Sequence, residues 1–143
     1  MLMKKVLVAL DIARSGGNDV CIKTAQDIAS TMDATLVFLH VIDAVPDYIA
    51  GSVPEGVLKK RKLEATEKIG NLAAQYGCSD AVVREGFPAI KIIEYAMEIN
   101  ADLIILHSSD PGLSNYFFGS VASRVVRHAH CSVHIVRHPE VSI

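Results

Sequence analysis

Residues 102–137 read DLIILHSSDPGLSNYFFGSVASRVVRHAHCSVHIVR. The segment 103–106 is a short unbroken apolar run, which suits a strand buried on both faces of a parallel sheet. A polar loop rich in Ser, Asp, Pro, Gly and Asn follows, and Gly119-Ser120 then opens an amphipathic helix. Val121, Ala122, Val125, Val126 and Ala129 fall on one face at helical spacing, with Arg124, Arg127 and His128 off it. Val133, His134, Ile135 and Val136 read as a further strand. Strand, polar loop, Gly-Ser, helix and strand together put bare backbone N–H groups at the carboxyl edge of a sheet. Such a helix start suits a phosphate, because its first N–H groups have no partners within the helix. The plainer reading is that Gly119 makes room for a turn and Ser120 caps the helix.

Outward from this segment, the chain has the size and composition of one domain with a real core. It has 143 residues, 50% of them hydrophobic, which a sheet covered by helices on both faces requires. Fourteen Lys and Arg against sixteen Asp and Glu give a formal net charge of −2. Mixed signs near neutrality argue against a nucleic-acid surface or a polybasic membrane anchor. Cys21, Cys78 and Cys131 are odd in number, widely spaced and without a Cys-x-x-Cys, so they read as reduced core or boundary residues. At the N-terminus two lysines precede the apolar segment 6–10, which stops at Asp11, too soon for a secretory core. No run approaches the length of a membrane span, and the expected location is cytoplasmic.

From the N-terminus, residues 6–10 form the first and a central strand, with Asp11 at its carboxyl end, where open parallel sheets place ligand groups. Cys21, Ala25, Ile28, Ala29 and Met32 mark the first helix, and residues 36–42 the second strand. Residues 44–56, with two prolines and two glycines, read as the longest irregular segment. Tyr48 and Ile49 within it either cover a ligand or close the core. Leu58, Ala65, Ile69, Leu72, Ala73 and Tyr76 trace the longest helix, stopped by Gly77. Its Lys59, Lys60, Arg61 and Lys62, followed by Glu64 and Glu67, read as a solvated, ion-paired face. Residues 82–85 are a third strand, and Pro88 starts a short, very apolar helix through Ile90, Ile93, Tyr95 and Met97. The order βαβαβαβαβ without internal repeat predicts a right-handed, all-parallel, doubly wound α/β sheet of Rossmann-like type.

Two other motifs compete for attention. Ser15-Gly16-Gly17-Asn18-Asp19 resembles five consecutive positions of the pyrophosphate loop of ATP-pyrophosphatase enzymes, where two glycines let N–H groups wrap an anion. Val20 fails the sixth position, and Ile12, Ala13 and Arg14 separate the motif from Asp11. Ordinary turn chemistry before a helix accounts for it better. His107, His128, His130, His134 and His138, together with Cys131, are dense enough to raise zinc, but their spacing matches no recognised ligand set. His128 and His130 suit a helix C-terminus, where a partial negative charge favours them.

Ala101-Asp102-Leu103-Ile104-Ile105, Gly119-Ser120-Val121-Ala122, Arg127-His128-Ala129, Cys131-Ser132-Val133 and Ile135-Val136-Arg137 resemble the closing segment of the universal stress proteins. That family commonly carries Gly-x2-Gly-x9-Gly-(Ser/Thr) here, as a loop holding the phosphates and ribose of ATP. This chain keeps the Gly119-Ser120 pair and has His107-Ser108-Ser109-Asp110 in place of Gly-x-x-Gly. The shortened loop, with Pro111 and Tyr116, is similar to the family's F/G-like branch, in which Arg typically stands at the position of Asp110.

The resemblance implies five parallel strands in order 3-2-1-4-5 and an adenine nucleotide at the switch between strands one and four. Its phosphates would lie on the N–H groups of Gly119, Ser120 and Val121, beside His107, Ser109 and Asp110. The adenine would lie in the region of Ala9, Val41 and Leu106. Asp11 would contact the nucleotide or its metal; the alternative is that it simply bonds the following loop. Asp110 would repel phosphates, favouring AMP or magnesium-bound ATP. Family members often dimerise through the last strand, which implies a homodimer with antiparallel final strands at Val133 to Val136. No residue set places a general base beside a nucleophile, so a stress-response binding module is expected, at most a slow ATPase. The alternatives are a dimerisation or interaction module whose site has decayed, and an ATP-pyrophosphatase-like enzyme using Ser15 to Asp19.

Overall fold

The computed structural model describes residues 5–13, 17–78, 80–108 and 119–137. Five parallel strands form its sheet: β1 (Lys5–Ala9), β2 (Thr35–Asp43), β3 (Asp80–Gly86), β4 (Leu103–Ser108) and β5 (Ser132–Arg137). Their spatial order is β3-β2-β1-β4-β5, as the resemblance implied, and all pairs are parallel, as the element sequence predicted. Because β1 is central, Val6, Leu7 and Val8 are fully buried, and β4 buries Leu103, Ile104, Ile105 and Leu106 on both faces. Sheet register aligns Ala9 with Leu39 on one side and with Leu106 on the other. The start of the sheet is pinned where the Lys5 N–H donates to Asp102 Oδ2 (3.0 Å) and the Asp102 N–H donates to Lys5 O (2.9 Å).

Alternation along each strand divides the core into two layers. One layer joins Val6, Val8, Phe38 and Ile105 to α1 (Asn18–Met32) and α3 (Glu55–Gln75) through Cys21, Ile22, Ala25, Ile69 and Ala73. The other joins Leu7, Leu39, Val41, Ile104 and Leu106 to α4 (Pro88–Glu98) and α5 (Ser120–His128) through Ile92, Tyr95, Ala122 and Val125. Helices on both faces explain why the central strands are continuous apolar runs.

Local sequence sets where the helices stop. After α3, Gly77 takes φ +71° and the Cys78 and Gly77 N–H groups return to Ala73 O (2.8 Å) and Ala74 O (3.1 Å), a Schellman closure. Asn100, at φ +55°, closes α4 in the same way, with the Ala101 N–H on Ala96 O at 2.8 Å. Pro88 occupies the first turn of α4 as expected.

Four expectations change. The segment 44–56 contains a short helix, α2 (Asp47–Ala50), and α3 already begins at Glu55. Tyr48 is 87% exposed and does not close the core. Val126, assigned by spacing to the buried face of α5, is 48% exposed, because Ala122 and Val125 already fill the contact with the sheet. Gly119 rather than Ser120 is the N-cap of α5.

Candidate functional site

The strand order reverses between β1 and β4, and the crevice beyond their carboxyl ends is where open α/β sheets bind ligands. Asp11 lies two residues past Ala9 on one lip of it, exposed. The backbone that carries it is clamped from three elements. The Leu10 N–H donates to Leu39 O (2.8 Å), and Lys68 Nζ reaches from α3 to Ile12 O (2.8 Å). Asn18 Nδ2, in the first turn of α1, donates to Asp11 O (2.9 Å), while the Ala13 N–H donates to Asp11 Oδ1 (3.2 Å).

The fourth clamp is His40, the one buried polar side chain among the described residues. Its Nδ1 is 3.0 Å from Leu10 O and 3.4 Å from the Ile12 nitrogen. The shorter contact requires Nδ1–H to donate to the carbonyl, and that tautomer is the one the geometry favours. A buried imidazole without such a partner would cost on the order of 1–3 kcal/mol, so the bond holds ring and loop together.

The other lip is formed by β4. Leu106 faces the α4/α5 layer beside Ala9, and Val41 lies on the same face two residues beyond Leu39; Val41 and Leu106 are buried core residues and Ala9 is half-buried. His107, one residue on, faces the opposite layer. Its imidazole fills the space over Gly17, where an added Cβ would come within 2.8 Å of Cε1 and 2.9 Å of Nε2. The predicted residues His107 and Leu106 therefore stand on opposite sides of the sheet, as period two demands.

Two helices begin at this edge. α1 starts from Gly17 at φ +86°, and α5 from Gly119 at φ −64°, ψ 166°; neither start has a side-chain cap. Gly17 is glycine because of its left-handed backbone and the ring against it. Gly119 has a backbone any residue can adopt, so what glycine offers there is a favoured N-cap and room for close approach. Ser120 is exposed and Val121 half-buried in the first turn. Ser109 and Asp110, and Ser15 and Gly16 of the rival loop, lie outside the described residues.

The exposed carboxylate of Asp11 is a hard oxygen donor of the kind magnesium takes, and uncapped N–H groups suit phosphate oxygens, so these residues fit a magnesium nucleotide. No three His, Cys, Asp or Glu side chains come together as a metal set among the described residues. The thiols are poor nucleophiles here: burial pushes Cys21 up to about 12, and raises Cys78 and Cys131 as well. No helix among the described residues is long and apolar enough to cross a membrane.

Sequence reading missed His40, Lys68, Asn18 and the true partner of Gly17. His40 had a signal, as the lone polar residue inside the apolar segment 36–42. Lys68 had none, since its partner Ile12 is 56 residues away.

Three comparisons place this geometry among known proteins. A universal stress protein of Methanocaldococcus jannaschii is 33% identical over 97% of this chain and 85% of its own length. The solved structure of the hypothetical protein MJ0577 superposes with a TM-score of 0.80 at 23% identity, over 98% of this chain and 99% of that one. A universal stress protein solved in complex with cAMP superposes with a TM-score of 0.63 at 21% identity, over 96% of this chain and 98% of that one. The universal stress protein family model matches residues 3–137. With the sheet order, the clamped Asp11 loop and the Gly119-Ser120 helix start all present, this chain belongs to the universal stress protein family.

Proposed function

We propose that the protein is a dimeric stress-response binding module that takes an adenine nucleotide, AMP or magnesium-bound ATP, in the crevice between β1 and β4. The observation that carries this is the pairing of two features at the strand-order reversal: the exposed Asp11 on a loop clamped by His40, Lys68 and Asn18, and the uncapped start of α5 at Gly119. A clamped loop carrying an oxygen donor and a helix start without a side-chain cap, both at the carboxyl edge of the sheet, suit a metal-bound phosphate. That a family relative was solved with cAMP, an adenine nucleotide, supports the ligand class.

The start of α1 is the weaker anion site. Gly17 is buried and its open side is filled by the His107 ring, so this glycine serves packing. That favours α5 over the pyrophosphatase-like loop. Burial holds the cysteine thiols protonated, which favours binding over thiol-based turnover. For the assembly, β5 is the last strand of the sheet and, among the described residues, pairs only with β4; Val133 and Ile135 on it are half-buried.

Titration calorimetry with AMP and with ATP, each with and without magnesium, tests the nucleotide reading. Saturable binding, tighter for ATP when magnesium is present, is expected. No heat with any of the four, together with native mass spectrometry of an empty protein, would leave the interaction-module reading in its place.

A further inference from the structure

We propose that the groove between α4 and α5 is a docking site for an acidic amphipathic helix of a partner protein. This inference stands apart from the nucleotide crevice and does not depend on it. The groove encloses about 450 Å³ and has two chemically different walls. On the α4 wall, Ile90 and Ile93 continue a stripe that runs at helical spacing from Phe87 to Met97. Phe87 is 66% exposed, Ile90 46% and Met97 54%, so this side of a strongly apolar helix is left open after Ile92, Tyr95 and Ala96 have entered the core. Four large apolar side chains in one row are more than the scattered singles any surface carries.

The α5 wall is basic. Arg124, Arg127 and His128, three and four residues apart, line the groove along one stripe of that helix. Neither arginine is in an ion pair among the described residues. The single carboxylate in the groove, Glu94, is already engaged by Lys91 Nζ at 3.3 Å. The groove thus presents an apolar stripe with uncompensated positive charge beside it. Its complement is a helix carrying apolar residues at positions i, i+3, i+4 and i+7, flanked by Asp or Glu.

Two other occupants fit less well. A second copy of this chain would have to offer an acidic apolar helix, yet its exposed Leu63 on α3 sits behind Lys59, Lys60, Arg61 and Lys62. An anionic bilayer is flat and would not fill a concave groove, and two arginines make a weak electrostatic anchor. The α4 helix, with its 11 residues, is about 16 Å long, room for roughly three turns of a partner.

The test uses the full-length protein and a fluorescein-labelled helical peptide of about five turns, with Leu at every third and fourth position and Glu elsewhere. Anisotropy should show saturable binding that weakens as salt rises. The double variant Arg124→Glu/Arg127→Glu should bind at least roughly tenfold more weakly, and Ile90→Gln about threefold, because each removes one of the two complementary features. All three positions are on the surface, so circular dichroism melts of the variants should match the parent. A peptide with Lys in place of Glu should bind only the charge-reversed double variant. The proposal is overturned by any of four results: no saturation up to about 1 mM peptide, equal affinity for parent and double variant, equal binding of the Lys peptide to the parent, or preferential binding of the protein to phosphatidylserine vesicles.

Discussion

The imidazole of His107 occupies the place that a side chain on Gly17 would need, with Cε1 2.8 Å and Nε2 2.9 Å from the position of a Cβ. Strand β4 and the entry to α1, ninety residues apart in sequence, are thereby fitted to each other on one side of the sheet. Gly17→Ala should lose stability twice over, from a left-handed backbone at φ +86° and from displacement of the ring, by about 1–3 kcal/mol in all. His107→Ala should relieve the second part only. Urea denaturation of the two single variants and the double variant gives the coupling, and strict additivity within about 0.5 kcal/mol would show that the ring and the glycine are independent.

Gly119 offers a cleaner probe of the ligand. Its φ of −64° suits any residue, so Gly119→Val should cost no more than an ordinary N-cap change, about 1 kcal/mol, and still fold. If phosphates approach this helix start, the added bulk should abolish nucleotide binding in calorimetry. Parental affinity in a well-folded Gly119→Val protein would move the phosphate site elsewhere.

Strand β5 is the proposed dimer edge, and Val126, 48% exposed on the adjoining α5, extends the apolar surface beside it. Ile135→Lys should convert the dimer to a monomer by placing a charge in the edge. Sedimentation velocity at micromolar concentration reads this directly, and a parent protein that already sediments as a monomer removes the interface.

Alkaline stability should report on Cys21. Burial moves this thiol from an ordinary 9.0 to about 12, so the unfolded chain ionises first as pH rises. The contribution is intact below about pH 9 and is lost as pH climbs to about 12, at up to about 1.4 kcal/mol per pH unit. Cys21→Ala should therefore be less stable at neutral pH, by a small cavity, yet lose less stability between pH 8 and pH 10.5, as most of that window lies above the free-thiol value. Parallel loss in both proteins by chemical denaturation would mean that Cys21 does not carry the effect.

Much of the architecture was legible in the chain alone. The apolar segments 6–10 and 103–106 announced central strands, because only a strand covered on both faces can be apolar at every position. Gly77 and Pro88 marked a helix end and a helix start through backbone geometry that no tertiary contact is needed to impose. Asp11 and Gly119 were placed at the sheet edge by their position after a strand and before a helix, and the structure puts them there. Local signals of this kind act over a few residues, and a sequence displays them directly.

The rest depended on pairings that sequence spacing does not encode. Val126 looked buried by periodicity, but a nine-residue helix on a sheet edge has room to bury only Ala122 and Val125. Ile90 and Met97 read simply as part of a very apolar helix, and only the fold leaves them 46% and 54% exposed. Gly17 read as a turn, while its role comes from a ring that β4 delivers from the far side of the chain. His40 and Lys68 hold Ile12 and Leu10 from 28 to 56 residues away. Periodicity states which side of an element is apolar; which part of that side is covered, and by what, is decided only when the layers close around a common core.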